Sequence, residues 1–216
     1  SVLCGEVNPS GRLADTYAYD VTANPAYYNS GDFEYPNTDS LVQTQWFELE
    51  HYLYLDYQEN IYVGYRYYET RWVDNETGKC DEEAYHKAVQ YPFGYGLTYS
   101  KFECSDLEYS NGTASVTVTN LGDRETEDVV EFYIKDTSPD AVPNHSLCGF
   151  KRVSLDAGES TIVSVRIERR AFEAVAEDGT RRIEGKEFTL SAGTCQPEPL
   201  SERLSETKCV SITITP

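Results

Sequence analysis

The second half of the chain is built from short segments in which apolar and polar residues alternate. Ser115-Val116-Thr117-Val118-Thr119-Asn120 is the clearest, and it stops at the turn signal Leu121-Gly122-Asp123. A period of two places successive side chains on opposite faces of a strand, so one face is dry and the other wet. The pattern returns over residues 128–135, 147–155, 160–167, 186–192 and 208–215. Turn formers separate the segments, among them Asp156-Ala157-Gly158-Glu159. Strands this short and closely spaced pair antiparallel, and no parallel sheet is expected in this half.

Six or seven such strands make a mainly β chain with an antiparallel β-sandwich of immunoglobulin or fibronectin-III type over residues 101–216. The Cys–Trp–Cys marker of true immunoglobulin domains is missing, because Trp46 and Trp72 both precede residue 73. A length of 216 residues allows one large domain or two small ones.

The formal charge of −19 sets the chain against nucleic-acid phosphates and anionic membrane surfaces, so neither partner is expected. No apolar run approaches the ~20 residues of a membrane span, and no signal peptide is visible; cytoplasmic and secreted locations both stay open. There is no Met, and Ser1-Val2-Leu3-Cys4-Gly5 reads as the tail of a buried strand whose partners are missing. A fragment of a longer protein is expected. The six cysteines are too sparse for a disulfide scaffold and form no CxxC pair. Cys80 and His86 have no second ligand pair of recognised spacing, so a zinc site is not expected. Cys195 and Cys209 flank a polar loop between two strands, and whether they are bonded stays open.

The front half is different. Asn8-Pro9-Ser10-Gly11 is a turn. Residues 17–56 are aromatic with little periodicity, and a connection of that length is expected to lie over a larger body. Residues 57–99 hold Tyr65-Arg66-Tyr67-Tyr68 and close on Tyr91-Pro92-Phe93-Gly94-Tyr95-Gly96-Leu97-Thr98-Tyr99. Between them, residues 71–90 read as a solvated, acidic excursion with a short helix over 81–89, and without EF-hand spacing. The chain has 18 Tyr, whose apolar bodies and polar tips suit domain interfaces as well as sugar-binding rims. Packing is the expected use here.

Several motifs together resemble a known family. Gly5-Glu6-Val7-Asn8-Pro9-Ser10-Gly11-Arg12-Leu13 is similar to a turn of glycoside hydrolase family 3, the β-glucosidase and β-xylosidase family. Residues 61–68, the 91–99 segment with Phe102, and residues 116–123 resemble further motifs of that family. So does Leu147-Cys148-Gly149-Phe150-Lys151-Arg152-Val153, with Leu155 and Gly158-Glu159. They occur in the family's order over nearly the whole chain. Glu59-Asn60 stands where the family commonly has Glu-Gly, Ala14-Asp15 replaces Leu-Pro, and residues 71–90 are an insertion. The resemblance implies that residues 1–100 are an irregular remnant, the end of an α/β sandwich domain with its aromatic connector. It implies that residues 101–216 are the fibronectin type III-like sandwich. The missing partners would be a (β/α)8 barrel and the rest of the α/β sandwich, which between them supply the nucleophile and the acid/base. No catalytic residue, metal ligand or cofactor is therefore expected within this chain, and no substrate-binding residue is assigned. The implied parent is a retaining hydrolase of terminal, non-reducing β-linked sugars.

Retaining hydrolysis needs two carboxylates about 5–5.5 Å apart. With 37 acidic residues such pairs carry little information. Glu48, Glu50, Asp56, Glu59 and Glu69 sit among aromatics, and each is expected to cap, pair or be solvated; Glu59 could be asked to serve as acid/base but is not expected to. His51, His86 and His145 show no metal spacing, and no GxSxG elbow exists. Gly94-Tyr95-Gly96 is expected to be a tight turn. Arg66 is expected to form an ion pair or to stack at the joint, and Trp46 and Trp72 to be buried. Asn75-Glu76-Thr77, Asn111-Gly112-Thr113 and Asn144-His145-Ser146 match the glycosylation sequon. A stand-alone carbohydrate-binding or cell-surface module is the rival reading.

Overall fold

The computed structural model describes residues 1–29, 33–36, 42–43, 48–49, 53–74, 77, 79–138, 141 and 144–216. Trp46, Glu50, His51, Asn75 and Glu76 lie outside the described residues.

The second half is the expected sandwich. Its strands are β1 (Phe102–Ser110), β2 (Thr113–Asn120), β3 (Thr126–Asp136), β4 (Ser146–Leu155), β5 (Ser160–Arg166), β6 (Phe188–Gly193) and β7 (Val210–Ile214). A three-stranded sheet runs β1-β2-β5 and a four-stranded sheet runs β7-β6-β3-β4. Every pairing among them is antiparallel. The chain changes sheet between β2 and β3, between β4 and β5, and between β5 and β6, as fibronectin type III domains do.

Alternation places the core. Ala114, Val116 and Val118 of β2 face Val130, Phe132 and Ile134 of β3, and Leu190 and Ala192 of β6, in one buried cluster. Each of the Val, Ile, Leu and Phe side chains contributes about 1.5–3 kcal/mol when removed from water. The β1–β2 hairpin turns through Asn111-Gly112, at φ 52° and 75°. That is the turn in which both central residues need positive φ. It puts the second sequon at a hairpin tip, whereas Asn144 of the third is buried.

The inward series of β2 ends on Asn120 rather than on another apolar residue. Asn120 is fully buried. Its Nδ2 donates to the carbonyls of Arg124 (2.8 Å), Leu155 (3.0 Å) and Asp156 (3.1 Å), and its Oδ1 accepts from Ser100 Oγ (2.7 Å) and Gly122 N (2.9 Å). One amide thus ties three chain reversals at the rim of the sandwich.

The front half is irregular, as expected; beside a five-residue helix at Pro25–Asn29 it carries α1 (Tyr65–Arg71) and α2 (Glu82–Ala88). Asp81 caps α2, accepting from Ala84 N, so the helix foreseen over 81–89 is present. Tyr17–Ala18 pairs with Val89–Tyr91. A further helix, α3 (Pro199–Ser205), lies between β6 and β7. Tyr68 of α1, Tyr85 of α2, Val89 and Leu200 of α3 form a second, smaller buried cluster. The 71–90 excursion is therefore anchored through Tyr85 rather than solvated throughout. Residues 1–5 also differ from the strand tail expected. Val2–Cys4 is a 3-10 turn closed by Gly5 at φ 73°, with no buried residue. With no ladder to join, its backbone bonds locally, Gly5 N to Val2 O at 2.9 Å. No helix among the described residues is long and apolar enough to cross a membrane.

Candidate functional site

The richest polar constellation is the joint where the front half meets the sandwich. The turn at residues 8–13 lies against the 93–99 segment. Leu13 N donates to Tyr95 O (2.9 Å) and Gly94 N to Leu13 O (2.8 Å). The two segments touch at glycine: a Cβ on Gly96 would stand 2.2 Å from Gly11 O. Asn8 binds the same segment, its Oδ1 accepting from Tyr99 N at 2.6 Å and its Nδ2 donating to Thr98 Oγ1 at 3.0 Å.

From this turn Arg12 reaches into the sandwich. Its Nη2 lies 2.5 Å from both oxygens of Asp128 on β3, and its Nε lies 3.0 Å from Oδ1. The two side chains are 7% and 1% exposed, so this is a buried fork-to-fork pair. Burial works to raise the Asp128 pKa, and the Arg12 guanidinium works to lower it. Arg152 of β4 closes the outer edge, donating to Ser10 Oγ (2.8 Å) and pairing with Glu127.

Two further carboxyls are enclosed here. Glu131 of β3 accepts from Tyr133 Oη at 2.8 Å, and Gly94 packs on it so closely that a Cβ would come within 2.7 Å of Oε2. Burial pushes its pKa up to about 7. Glu69 of α1 accepts from Tyr85 Oη at 2.5 Å and from Gln196 Nε2 at 3.4 Å. Burial, reinforced by the nearby Glu198, pushes its pKa up to about 8. At neutral pH Glu69 is largely protonated, which suits a carboxyl that faces phenol and amide rather than a cation. Both carboxyls are shut away from solvent, at 7% and 5% exposure.

The residues singled out in the sequence are scattered. Asp56 is exposed, and Glu59 is half-buried with Asn29 Nδ2 at 3.2 Å from its Oε2. Of Glu48 only the backbone pairing is described. Arg66 is exposed, with its guanidinium 5.8 Å from the Tyr65 ring centroid. Among the described residues no carboxylate pairs with it, so it stacks, and the ion pair at the joint belongs to Arg12. Tyr65 stacks on Phe93 at 4.4 Å and its hydroxyl receives Leu147 N at 3.3 Å. Trp72 is half-buried, packed beside Tyr68 and Tyr85. Among the described residues no group of His, Cys, Asp and Glu is arranged to hold a metal ion. An open cleft of about 470 Å³ runs between Arg66, Ser146, Cys148, Glu168, Arg170 and Arg181. Arg12 and Asp128 were missed in the sequence as partners. The signal was only that Arg12 sits in a turn motif and that Asp128 lies near the start of β3, beside the apolar pair Val129-Val130.

The fold has close relatives among solved structures. A family 3 β-glucosidase from Bifidobacterium adolescentis superposes with a TM-score of 0.67 and 31% identity, over 98% of this chain and 26% of that one. The chain matches the C-terminal region of glycoside hydrolase family 3 enzymes. β-Glucosidase 3B from Thermotoga neapolitana matches this family 3 region as well, with a TM-score of 0.70 and 28% identity over 99% of this chain and 25% of that one. The fibronectin type III-like domain model matches residues 128–196. Thermostable β-glucosidase B of Acetivibrio thermocellus is 33% identical over 79% of this chain and 20% of its own length. An exo-α-(1→6)-L-arabinopyranosidase of Bifidobacterium breve is 32% identical over 98% of this chain and 24% of its own. The family 3 region here thus spans about a fifth to a quarter of the relatives it matches.

Proposed function

We propose that this chain is the non-catalytic structural portion of a retaining family 3 glycoside hydrolase of β-glucosidase type. In this reading the nucleophile and the acid/base lie outside it. Residues 1–100 end an α/β sandwich domain and connect it to the fibronectin type III-like sandwich of residues 101–216. The observation that carries the reading is where polar chemistry and apolar exposure sit. The enclosed carboxyls Glu69, Asp128 and Glu131 each bond within the joint. Most of the exposed large hydrophobic side chains among the described residues precede residue 100, Leu3, Tyr19, Val21, Tyr28 and Leu97 among them. After it come only Leu121, Phe150, Ile162, Val175 and Leu204. Apolar exposure on that scale suits a buried face of a larger enzyme. The matched region occurs in relatives named for a glucosidase and for an arabinopyranosidase, so we place sugar choice in the other domains.

The test is hydrolysis of an aryl β-glucoside. The chain alone is expected to give no turnover, and turnover is expected when it is co-expressed with the remaining domains of its parent. Turnover by the chain alone that disappears in Glu59→Gln would overturn the assignment. Oligosaccharide binding by the chain alone in calorimetry would favour the stand-alone binding module.

A further inference from the structure

Away from the carboxyls of the joint, one pair of side chains is placed for chemistry that the proposed function does not use. Cys195 follows β6 and Cys209 precedes β7. These strands pair as far as Ala192 and Val210. One step further, Gly193 lies under Cys209: a Cβ at 193 would stand 2.5 Å from the Cys209 Sγ. Because that side chain is absent, the Cys209 sulfur crosses over the glycine and comes within 3.9 Å of the Cys195 sulfur. Cys195 is fully buried, and Cys209 is half-buried.

The residues between them form the grip of the sandwich on the front half. Leu200 of α3 enters the cluster of Tyr68, Tyr85 and Val89. Gln196 reaches Glu69. The Glu202 carboxylate accepts from Cys209 N at 3.0 Å. The hydrogen bond to Cys195, burial, and the neighbouring Glu202 and Cys104 all keep the Cys209 thiol protonated. With the sulfurs 3.9 Å apart, the pair stands as two free thiols.

We propose that Cys195 and Cys209 are a redox modification site, forming a reversible disulfide that closes the 195–209 loop and clamps α3 against the front half. The bond requires the sulfurs to approach to about 2.05 Å, and Gly193 leaves room for that movement. The co-reactant is a small-molecule disulfide such as oxidised glutathione. Cys209, the more exposed thiol, loses its proton and attacks one sulfur of that disulfide. The S–S bond breaks, and the first small thiol leaves with the proton. Cys195, deprotonated in turn, attacks the Cys209 sulfur of the mixed disulfide, and the second small thiol leaves with the second proton. Two protein thiols are oxidised and one small disulfide is reduced to two thiols.

The test uses the 216-residue chain with the exposed Cys4 and Cys80 changed to Ser. After native incubation with oxidised glutathione it is alkylated, weighed and peptide-mapped. The expected product carries alkyl groups on Cys104 and Cys148 only and is lighter by about 2 Da than those two labels alone would make it, with Cys195 and Cys209 in one linked pair. Closing so short a loop is expected to raise Tm by about 6–12 °C, reversibly with dithiothreitol. Cys209→Ala, and independently Cys195→Ala, must abolish both the mass loss and the rise. Alkylation of both cysteines after oxidation, or linkage to Cys104 or Cys148 instead, overturns the site. A Cys195–Cys209 bond that leaves Tm unchanged overturns the clamp.

Discussion

At the scale of single residues, the joint depends on charges that have almost no access to water. Arg12 and Asp128 satisfy each other, with Gly96 O also accepting from Arg12 and Val129 N donating to Asp128. Removing one partner leaves the other charge buried, which costs about 3–5 kcal/mol. Arg12→Ala is therefore expected to lower Tm by about 10 °C. Arg12→Met with Asp128→Leu is expected to recover most of that loss, because the pair as a whole is costly to desolvate; thermal melts of the three variants decide it. Glu69 makes a prediction in pH. Its folded pKa is about 8, against an ordinary 4.5. Between those values the folded state holds a proton that the unfolded state releases, so stability is greatest at the acid end and falls as pH rises, by at most about 1.4 kcal/mol per pH unit. Glu131, at about 7, adds a slope of the same sign up to that pH. From pH 7 to 8 the slope is that of Glu69, and Glu69→Gln, which still accepts from Tyr85, is expected to flatten Tm there and to raise it at pH 8.

At the scale of elements, the contacts are backbone on backbone. The 8–13 turn and the 93–99 segment cross at Gly11 and Gly96, where a single methyl would collide with a carbonyl. A backbone atom cannot swing aside as a side chain can, so Gly96→Ala is expected to cost more than 2 kcal/mol, about 5 °C or more in Tm. Gly158→Ala is the control. It has positive φ but no atom within 4 Å of the new Cβ, so its cost is limited to about 1 kcal/mol of backbone strain. The β2 alternation was legible in the sequence because a period of two has one structural reading. The β1–β2 hairpin was equally written there, in Asn111-Gly112, but the same residues also spell a sequon and only that was read. The strand tail expected at residues 1–5 was a local misreading: two apolar residues cannot distinguish a strand from a 3-10 turn when nothing nearby supplies a ladder.

At the scale of the whole molecule, the chain is asymmetric. One half buries its alternating face in a closed sandwich, and the other carries most of the large exposed hydrophobics. Val21→Lys and Leu97→Lys, at 68% and 69% exposure, are expected to shift Tm by less than about 2 °C, since exposed positions hold little stability. The same changes are expected to weaken reassembly with the remaining parent domains at least tenfold, measured by calorimetry. Equal reassembly by the two variants would place the covered face elsewhere.

Sequence alone determined the sandwich and its antiparallel pairing, because strand periodicity and turn chemistry are local and leave their mark residue by residue; the likeness to family 3 was carried by its motifs. It also marked the aromatic stretch before residue 100 as a joint. Only the tertiary structure decided what holds that joint. Arg12 and Asp128 are 116 positions apart, Glu69 and Gln196 are 127 apart, and Gly11 meets Gly96 across the fold. Such contacts are set by where the two sheets stack and where the chain crosses itself. No local pattern encodes those distances, which is why Arg66, expected to pair or to stack, stacks on Tyr65 while the buried ion pair falls to Arg12.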